Sequence, residues 1–598
     1  MLRRIVNSNI WSFAAAVFLL CLVLQAGGQV IPQSRSTDWT IAGLRDTSTA
    51  GFAMIDMQLH GITGDGLTPN DSVLAAVISG LSGSGAILLF PAGDFLFQQT
   101  IHLPSGIVIR GQGPASTRFI SDLGGSGHSF QIQGASASSP ADTLVHDALK
   151  DNNYIIIDNP AVFTSGGWIR IHMQDSALLT SGWAWGTVGQ IARISGISGD
   201  TLFLESPLRR DFQISQQARV TKLSPVTNTG IECLALQRID NTAPEQSSVI
   251  QFRYAVNSWV RGVESVNTTF AHIEAEWSSN LSVSGSYLHH AFDYGENGRA
   301  YGIMLHFSSG ECRVEDNILE HLRHSMIVQA GANGNVFAFN YSLDPWWSSL
   351  PSNSAGDMVL HGNYVFLNLF EQNICRNIVI DDSHGPNGPY NTFFRNRAEG
   401  YGIFFSAANS PEQNLVGNDI SNTSFPYSLV NYTILGSGHL KYGNNNKGTI
   451  DPVGTQNLAD VSYAYLQPPP FVPLLQWAAI GTPNVMGSAS NPARDRYLSG
   501  NLFNGVCGPL VVDVGNEILK PGTFSVFPNP FRGELNIECE EEIARIIIAD
   551  PSGKVMLMTA YNGRKVTMNT RHWAGGWYVV NVVSKTERLF RETVFCLN

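Results

Sequence analysis

Short apolar runs alternate with turn residues along most of the chain. AILLF, DFLF and GIVIR, within residues 86–110, are separated by the turns PAG and PSG. Runs of four to five residues bounded by such turns are typical of β-strands. DSVLAAVISGL at 71–81 differs, because its apolar residues recur at helical spacing. The pattern therefore predicts one early α-helix followed by many short strands.

From about residue 228 the pattern becomes periodic. NVFAFNYS at 335, NTFFRNRAE at 391 and NLVGNDIS at 414 share a leading Asn and a second Asn four or five residues later. Many intervals between such segments lie near 23–25 residues, a period that indicates a solenoid of stacked coils. Asn tolerates left-handed backbone and can bond to the next coil. We expect Asn335, Asn391 and Asn414 to occupy equivalent corners.

Two segments interrupt the repeat. Residues 121–225 contain VGQIARISGISGDTLFLESPL, two alternating strands around an SGD turn, which predicts an inserted small β-subdomain. Residues 436–520 are irregular and include QPPPFVP, so we expect an extension and linker that pack along the last coils. The N-terminal cap and first coils are then assigned to 29–120, and the main solenoid to 226–435.

The two ends of the chain have other signatures. Arg3 and Arg4 precede the apolar run FAAAVFLLCLVL and the small residues AGG, which predicts a signal peptide at 1–28. Cys21 lies inside the apolar run and is not expected to carry a lipid. From 521 the chain reads as a separate unit of alternating strands. Six cysteines remain beyond the signal peptide, without CxxC spacing, so buried thiols are expected and a Cys539–Cys596 bridge stays open.

Composition narrows the class of partner. Charged residues make up 14% of the chain, Gly numbers 58 and the net charge is −12. A nucleic-acid partner is not expected, because it would require a basic face. No segment of the mature chain is apolar enough to span a membrane, and we expect a monomer.

The opening segment GDGLTPNDSVLAAVISGL with its following strands resembles the pectate-lyase superfamily. This resemblance implies an all-β, right-handed parallel β-helix whose first coil is capped by the helix. The tail carries PNP at 528–530, SGK at 552–554, GGWYVV at 575–580 and a basic last strand. It resembles the β-sandwich C-terminal sorting domain of type IX secretion in Bacteroidetes-type bacteria. That implies recognition by the type IX machinery and export through the periplasm and across the outer membrane to the cell surface or beyond.

The resemblance to β-helix proteins also implies a class of ligand. The superfamily includes polysaccharide lyases, polygalacturonase-like hydrolases, epimerases and phage adhesins, whose substrates lie along an outer sheet. We therefore expect a polysaccharide lyase or glycoside hydrolase acting on a glycan that could be acidic. A surface protein that only binds glycans is the alternative. No cofactor is predicted with certainty; Ca²⁺ remains open, and no metal ligand is assigned.

Candidate chemistry centres on IDDSHGPNGPYNTFFRNR at 380–397. The family motifs of polygalacturonases and pectate lyases are absent there, so the candidates rest on convergence of successive coils. Elimination needs a cation to neutralise a uronate and a base for the adjacent proton, whereas hydrolysis needs two carboxyls. The structural alternative is that these residues tie coils together, and His289, His290 and Asp293 form a second candidate group. The predicted catalytic residues are Asp381, Asp382, His384, Arg395, His361 and His324, and the predicted substrate-binding residues are Trp346, Trp347, Arg323, Arg397 and Glu371.

Overall fold

The computed structural model describes most of the 598-residue chain. The described residues are 29–45, 49, 51–81, 83, 85–240, 246–295, 298–346, 356–429, 432–473, 476–507, 524–549, 555–573, 575–585 and 589–597. They form two compact units, one ending at Pro509 and the other beginning at Leu510. The predicted signal peptide, Trp347 and the SGK motif lie outside the described residues.

Parallel strands stacked in register build the first unit. One ladder forms a single parallel sheet: Ala53–Asp56, Ala86–Leu89, Ile107–Arg110, Gly230–Glu232, Trp259–Arg261, Ser282–Ser284, Arg313–Glu315, Val336–Ala338, Leu369–Glu371, Thr392–Phe394, Asn414–Val416 and Leu440–Tyr442. Each strand pairs with the strand one coil later, as Phe337 does with Phe370 and Phe370 with Phe393. This is the parallel β-helix that the sequence predicted.

Two further ladders run beside the first and are joined by long strands. The second ladder contains Asp65–Pro69, Gly93–Phe97, Thr117–Ser121, Ala235–Arg238, Glu264–Thr268, Tyr287–Ala291, Ile318–Glu320, Tyr341–Leu343, Asp419–Ile420 and Asn444–Asn446, closed by the antiparallel Thr449–Asp451. The third contains Ile101–His102, Phe130–Gln133, Ile250–Arg253, Ala271–Glu276, Tyr301–His306, His324–Val328 and Met358–His361. Ile374–Asp381 and Arg397–Phe405 belong to both, because each bends from one ladder into the other. A short parallel pair, Val226–Thr227 with Ala255–Val256, lies at a turn.

The predicted early helix is present as Asp71–Gly80. Leu74 is buried, and Val73, Val77, Ile78 and Leu81 pack against the core that fills the coils. The helix therefore covers apolar side chains of the first coils, which a solenoid would otherwise leave exposed. The other α-helix is Pro492–Ser499. Short 3₁₀ turns are Gln33–Arg35, Trp39–Ile41, Met57–His60, Pro160–Val162, Gly182–Ala184, Ile214–Gln216 and Tyr427–Leu429.

Asparagine ladders hold the coil corners. In one ladder the Nδ2 of Asn335 donates to Asn368 Oδ1 at 2.9 Å, and Asn368 donates to Asn391 Oδ1 at 2.9 Å. Asn335 and Asn391 thus occupy equivalent corners, but Asn414 does not. Gln413 takes its place and accepts from Asn391 at 3.0 Å. The second Asn of each repeat forms a parallel ladder through Asn317, Asn340, Asn373, Asn396, Asn418 and Asn444.

An antiparallel sheet is inserted between coils. Its strands are Ala135–Ser136, Asp142–Thr143, Tyr154–Ile156, Trp168–His172, Gly189–Ser198, Thr201–Leu204 and Arg219–Ser224. The coil strand Phe130–Gln133 still pairs with Ile250–Arg253, so the antiparallel part spans 135–224 rather than 121–225. It has a core of its own, which includes Ile169, Ile171, Leu202 and Val220.

Segments from both ends of this unit lie along the coils. Near the start, the indole Nε1 of Trp39 donates to the carbonyl of Leu367 at 2.7 Å, and the N–H of Arg45 donates to Asn257 Oδ1 at 3.2 Å. Residues 29–45 therefore pack along middle and late coils rather than on the first. Beyond residue 451 the chain packs on the solenoid flank. A disulfide joins Cys233 to Cys507, 274 residues apart. Cys312, Cys375, Cys539 and Cys596 are buried and outside any disulfide, so the bridge left open between the last two does not form.

The second unit is an antiparallel sheet. Its strands are Phe524–Phe527, Glu534–Ala549, Val555–Asn569, Gly576–Ser584 and Leu589–Cys596. Its buried core includes Phe531, Ile537, Ile546 and Val580. Among the helices in the described ranges, none combines the length and apolar composition that a bilayer crossing requires.

Candidate functional site

A row of polar side chains runs across the third ladder. Because strands in this ladder are parallel and in register, residues at one position stack on the same face in successive coils. Glu276 lies beside His306 in the register, and His361 lies beside Asp381. The row, called the polar column here, consists of Arg253, Glu276, His306, Gln329, His361, Asp381 and Ser406.

The central pair of the column is His361 with Asp381. His361 Nδ1 lies 2.7 Å from Asp381 Oδ2. Burial alone would raise the pKa of Asp381, but His361 and Ser383 outweigh it and hold that pKa well below its usual value. Ser383 contributes its backbone N–H and its hydroxyl to the two carboxylate oxygens. A carboxylate on Nδ1 leaves Nε2 of His361 as the nitrogen that can exchange a proton with a ligand.

Two further histidines contact this pair. The ring of His324 lies 5.3 Å from that of His361, and the ring of His384 lies 4.8 Å from it. Burial, with His361 and Arg323 nearby, lowers the pKa of His324 to about 3. Its Nδ1 lies 3.1 Å from the carbonyl oxygen of Gly356, so Nδ1 carries the proton and Nε2 is a bare acceptor. Burial and His361 also lower the pKa of His384.

Asp381 and Asp382 converge on one hydroxyl. Asp381 ends its strand, and Asp382 follows at the corner. Ser406 Oγ lies 2.6 Å from Asp382 Oδ1 and 3.3 Å from Asp381 Oδ1. The two carboxylates therefore share one edge of the site, although neighbours on a regular strand would point to opposite faces.

Arg323 and Tyr301 border the histidines. The Tyr301 ring lies 5.1 Å from that of His324. Arg323 is half-buried, donates from Nη1 to the carbonyl of Gly295 at 2.8 Å, and lowers the pKa of His324. It places a positive charge beside the group and was itself predicted to bind substrate. Five of the six predicted catalytic residues are brought together here, and only Arg395 is missing: Asp381, Asp382, His384, His361 and His324.

The inserted subdomain supplies a residue that the sequence did not indicate. Trp183, in the turn Gly182–Ala184, lies 5.9 Å from the ring of His384 and 6.0 Å from that of Phe307. It is 51% exposed. The signal was available as two tryptophans in the loop SGWAWG, but periodicity could not show where this loop docks.

A second ionisable group lies upstream on the same face. His306 Nε2 is 3.1 Å from Glu274 Oε1 and 3.6 Å from Glu276 Oε1. In the described part of the chain, these three residues are the one His/Cys/Asp/Glu group compact enough to hold a metal ion. Burial raises the pKa of Glu276; at Glu274 burial is outweighed by His306, which lowers the pKa. Calcium takes six to eight oxygen ligands, so a set with an imidazole and only two carboxylates does not fit Ca²⁺.

Three predicted residues lie away from this group, on a flank covered by the C-terminal extension. Arg395 is 2% exposed and donates to the carbonyls of Asp460, Leu458, Ile480 and Thr482 at 2.8–3.1 Å. Arg397 lies 3.6 Å from Asp419 and donates to the carbonyl of Ala489. Glu371 is fully buried and accepts from Ser462 Oγ at 2.5 Å and Tyr463 N at 2.8 Å. These side chains are occupied in attaching the extension.

Trp346 lies on a third surface, apart from the His361–Asp381 group and from the covered flank. Its ring stacks on Tyr294 at 5.6 Å, next to His321. His321 Nδ1 lies 2.8 Å from Asp344 Oδ2, and His289 Nδ1 lies 2.9 Å from His290 Nδ1. This surface contains the second candidate group rather than the first. The partner tryptophan, Trp347, lies outside the described residues.

Comparison with known proteins identifies the second unit. Residues 525–595 match the family model described as the secretion system C-terminal sorting domain. The C-terminal unit is a type IX sorting domain. The chain is therefore a protein exported by type IX secretion to the cell surface or outside, as the PNP and GGWYVV elements predicted. No curated protein matches the chain.

Solved structures resemble the chain only distantly. A tailspike of Pseudomonas phage LKA1 is 12% identical, with 61% of this chain and 75% of that chain covered and a TM-score of 0.40. The A-module of a mannuronan C-5 epimerase from Azotobacter vinelandii is 11% identical, covering 65% and 99%, with a TM-score of 0.34. An exopolygalacturonase from Thermotoga maritima is 13% identical, covering 64% and 82%, with a TM-score of 0.33. These similarities carry no argument about activity.

Proposed function

We propose that the exported solenoid is a polysaccharide lyase that acts on a uronate-containing glycan. The single observation that supports this best is the His361–Asp381 pair, with Nδ1 and Oδ2 2.7 Å apart and two more histidines in ring contact. A carboxylate that holds one ring nitrogen stabilises the imidazolium formed when the other nitrogen takes a proton. His361 is therefore equipped as a general base.

The remaining residues supply the other requirements of elimination. The proton next to a uronate carboxylate becomes acidic only when that carboxylate is neutralised, and Arg323 offers the nearby cation. His324 stays neutral, because burial lowers its pKa to about 3, so it can orient a sugar hydroxyl as an acceptor. In this proposal His384, half-buried and in ring contact with His361, relays to the departing oxygen the proton that His361 has taken from the sugar. General acid–base catalysis of this kind typically contributes about 10²–10⁴-fold.

Hydrolysis is the second candidate, and it rests on Asp381 and Asp382. Both carboxylates lie within 3.3 Å of Ser406 Oγ. Retaining glycosidases hold their two carboxyl groups roughly 5–5.5 Å apart, a spacing that two groups on one hydroxyl can adopt. The carboxylate of Asp381 is, however, already held by His361 Nδ1 and by the N–H and hydroxyl of Ser383, and for that reason we favour elimination.

The test is incubation of the full chain with uronate and neutral polysaccharides. Elimination gives new unsaturated ends that absorb ultraviolet light, whereas hydrolysis gives new reducing ends without unsaturation. Asp381→Asn is expected to remove roughly 10²–10⁴-fold of turnover, because His361 loses the charge that stabilises its imidazolium. Asp344→Asn is the matched control, since Asp344 holds His321 at a similar distance of 2.8 Å on another surface.

Each other outcome has a definite meaning. Reducing ends without unsaturation contradict elimination and support the Asp381–Asp382 pair. Binding without any turnover in the wild type makes the protein an adhesin-like glycan binder. Loss of turnover in Asp344→Asn, with Asp381→Asn unaffected, moves the active site to the surface of His289, His290 and His321.

A further inference from the structure

The loop that carries Trp183 is held against the coils by hydrogen bonds and buried side chains. Asp175, which is 3% exposed, accepts from the backbone N–H groups of Gly186 and Val188 at 2.8 Å each. Ala184 and Val188 are buried among core residues of the coils. The hydroxyl of Ser308 donates to the carbonyl of Thr187. The loop is therefore docked on the solenoid by contacts on both sides of the indole.

Small residues on the coils make room for this loop. A Cβ added to Gly331 would lie 2.2 Å from the carbonyl oxygen of Thr187, and one added to Gly385 would lie 2.3 Å from Thr180 Oγ1. Both glycines have positive φ, at 74° and 95°. Larger residues at these corners would push the subdomain away from the site, so the sequence of the coils is adapted to its presence.

The other aromatic rings nearby have their faces occupied. Tyr254 and Trp277 are stacked at 5.3 Å with 11° between planes, and Trp277 and Phe307 at 4.8 Å with 26°. His306 also stacks on Phe307, at 4.2 Å. Trp277 is thus stacked against both Tyr254 and Phe307, and Phe307 against both Trp277 and His306. Trp183 crosses Phe307 at 65° and is half exposed, so it keeps an open surface beside His384.

We propose that Trp183 is a sugar-stacking platform, and that the inserted subdomain thereby sets which glycan binds. This rests on the proposed function. One face of a pyranose ring presents mainly C–H groups, and that face buries apolar area against an indole while its hydroxyls stay wet. The platform adjoins His384, so the ligand is the sugar residue next to the one that reacts. Such a contact requires a flat apolar sugar face and does not depend on a charged group of that sugar.

The test compares substitutions in the same loop of the full chain. Trp183→Ala should weaken binding and raise KM by roughly 10- to 100-fold, by analogy with the loss of one stacked ring on an aromatic side chain, while kcat and the melting temperature stay nearly unchanged. Trp183→Phe should restore most of the affinity. Trp185→Ala is the matched control, because Trp185 is two residues away and 63% exposed. Binding is measured by calorimetry with tetragalacturonate, tetramannuronate and cellotetraose.

The outcomes separate this proposal from the proposed reaction. If an oligosaccharide binds without being cleaved and Trp183→Ala still weakens it, the lyase assignment fails and the platform stands. If the wild type cleaves a probe and Trp183→Ala leaves KM unchanged, the platform fails and the lyase assignment stands. Equal losses in Trp183→Ala and Trp185→Ala, or no binding of any probe to the wild type, overturn the platform.

Discussion

Two faces of the solenoid carry charged residues on successive coils, yet they serve different ends. On the third ladder, the polar column brings His361 and Asp381 together beside an exposed tryptophan. On the first ladder and its adjoining corner, Glu371 and Arg395 are buried under the C-terminal extension. Stacking of coils makes charges converge on any face. What distinguishes a candidate site from a structural cluster is whether another part of the chain already occupies the polar groups.

The largest effect on turnover is expected on the third ladder, beside the polar column. His384→Ala should reduce turnover on a confirmed substrate by roughly 10²–10⁴-fold, because it removes the group proposed to relay a proton to the departing oxygen. The melting temperature should stay nearly unchanged, since His384 is only half-buried. His321→Ala is the control on the neighbouring surface. A variant that fails to fold would instead assign His384 a structural role at the corner.

Substitutions under the C-terminal extension should lower stability rather than turnover. Arg395→Met should cost about 3 kcal/mol of unfolding free energy, because it leaves four carbonyl groups, three of them in buried hydrogen bonds, without their donor. Turnover per folded molecule should be retained. Urea denaturation measures the loss, and Arg261→Met, at an exposed arginine, is the control. If Arg395→Met remained stable but inactive, the comparison between the two faces would be wrong.

The smallest effect is a difference in pH dependence. The pKa of His324 falls to about 3 in the folded state, whereas burial raises that of Glu371 to about 7. Unfolded histidine titrates near 6.5 and unfolded glutamate near 4.3. The stability that neutral His324 contributes is therefore present above about pH 6.5 and is lost as the pH falls toward 3. The stability that neutral Glu371 contributes is present below about pH 4.3 and is lost as the pH rises toward 7.

The two groups thus have opposite slopes between about pH 4.5 and 6.5, each near 1.4 kcal/mol per pH unit at most. His324→Gln should make the slope of unfolding free energy against pH more negative, and Glu371→Gln should make it more positive. Urea titrations at several pH values measure both. Equal slopes in the wild type and both variants would show that neither group is held neutral by burial.

Sequence reasoning recovered what local pattern determines. The turn residues and the repeat near 24 residues predicted the parallel coils, and the leading asparagines predicted the corner ladder through Asn335 and Asn391. Asn414 was misplaced because an amide at Gln413 satisfies the same hydrogen bonds, and a period alone does not fix register to one residue. Convergence of neighbouring coils likewise predicted His324, His361, Asp381 and His384 as one group.

Contacts made by distant segments were not recoverable. Arg395 sits at a repeat position as suitable for a site as any other, and its partners come 63–87 residues later from an irregular extension. Trp183 reaches the site through the docking of an inserted subdomain, which has no periodicity in common with the coils. The disulfide partners Cys233 and Cys507 are separated by 274 residues, and no spacing rule connects such a pair.

That disulfide changes how the solenoid can come apart. Stacked coils hold only their neighbours, so such arrays ordinarily lose structure by fraying inward from an end. Here residues 233–507 form a covalent ring that encloses the main run of coils and the extension. Removal of the sorting unit by a cut after residue 507 would leave this ring closed, and the last coil would gain no free end from which to peel. The bridge therefore closes the array at its C-terminal limit, whereas the coils that precede Cys233 keep a free end from which they can unfold.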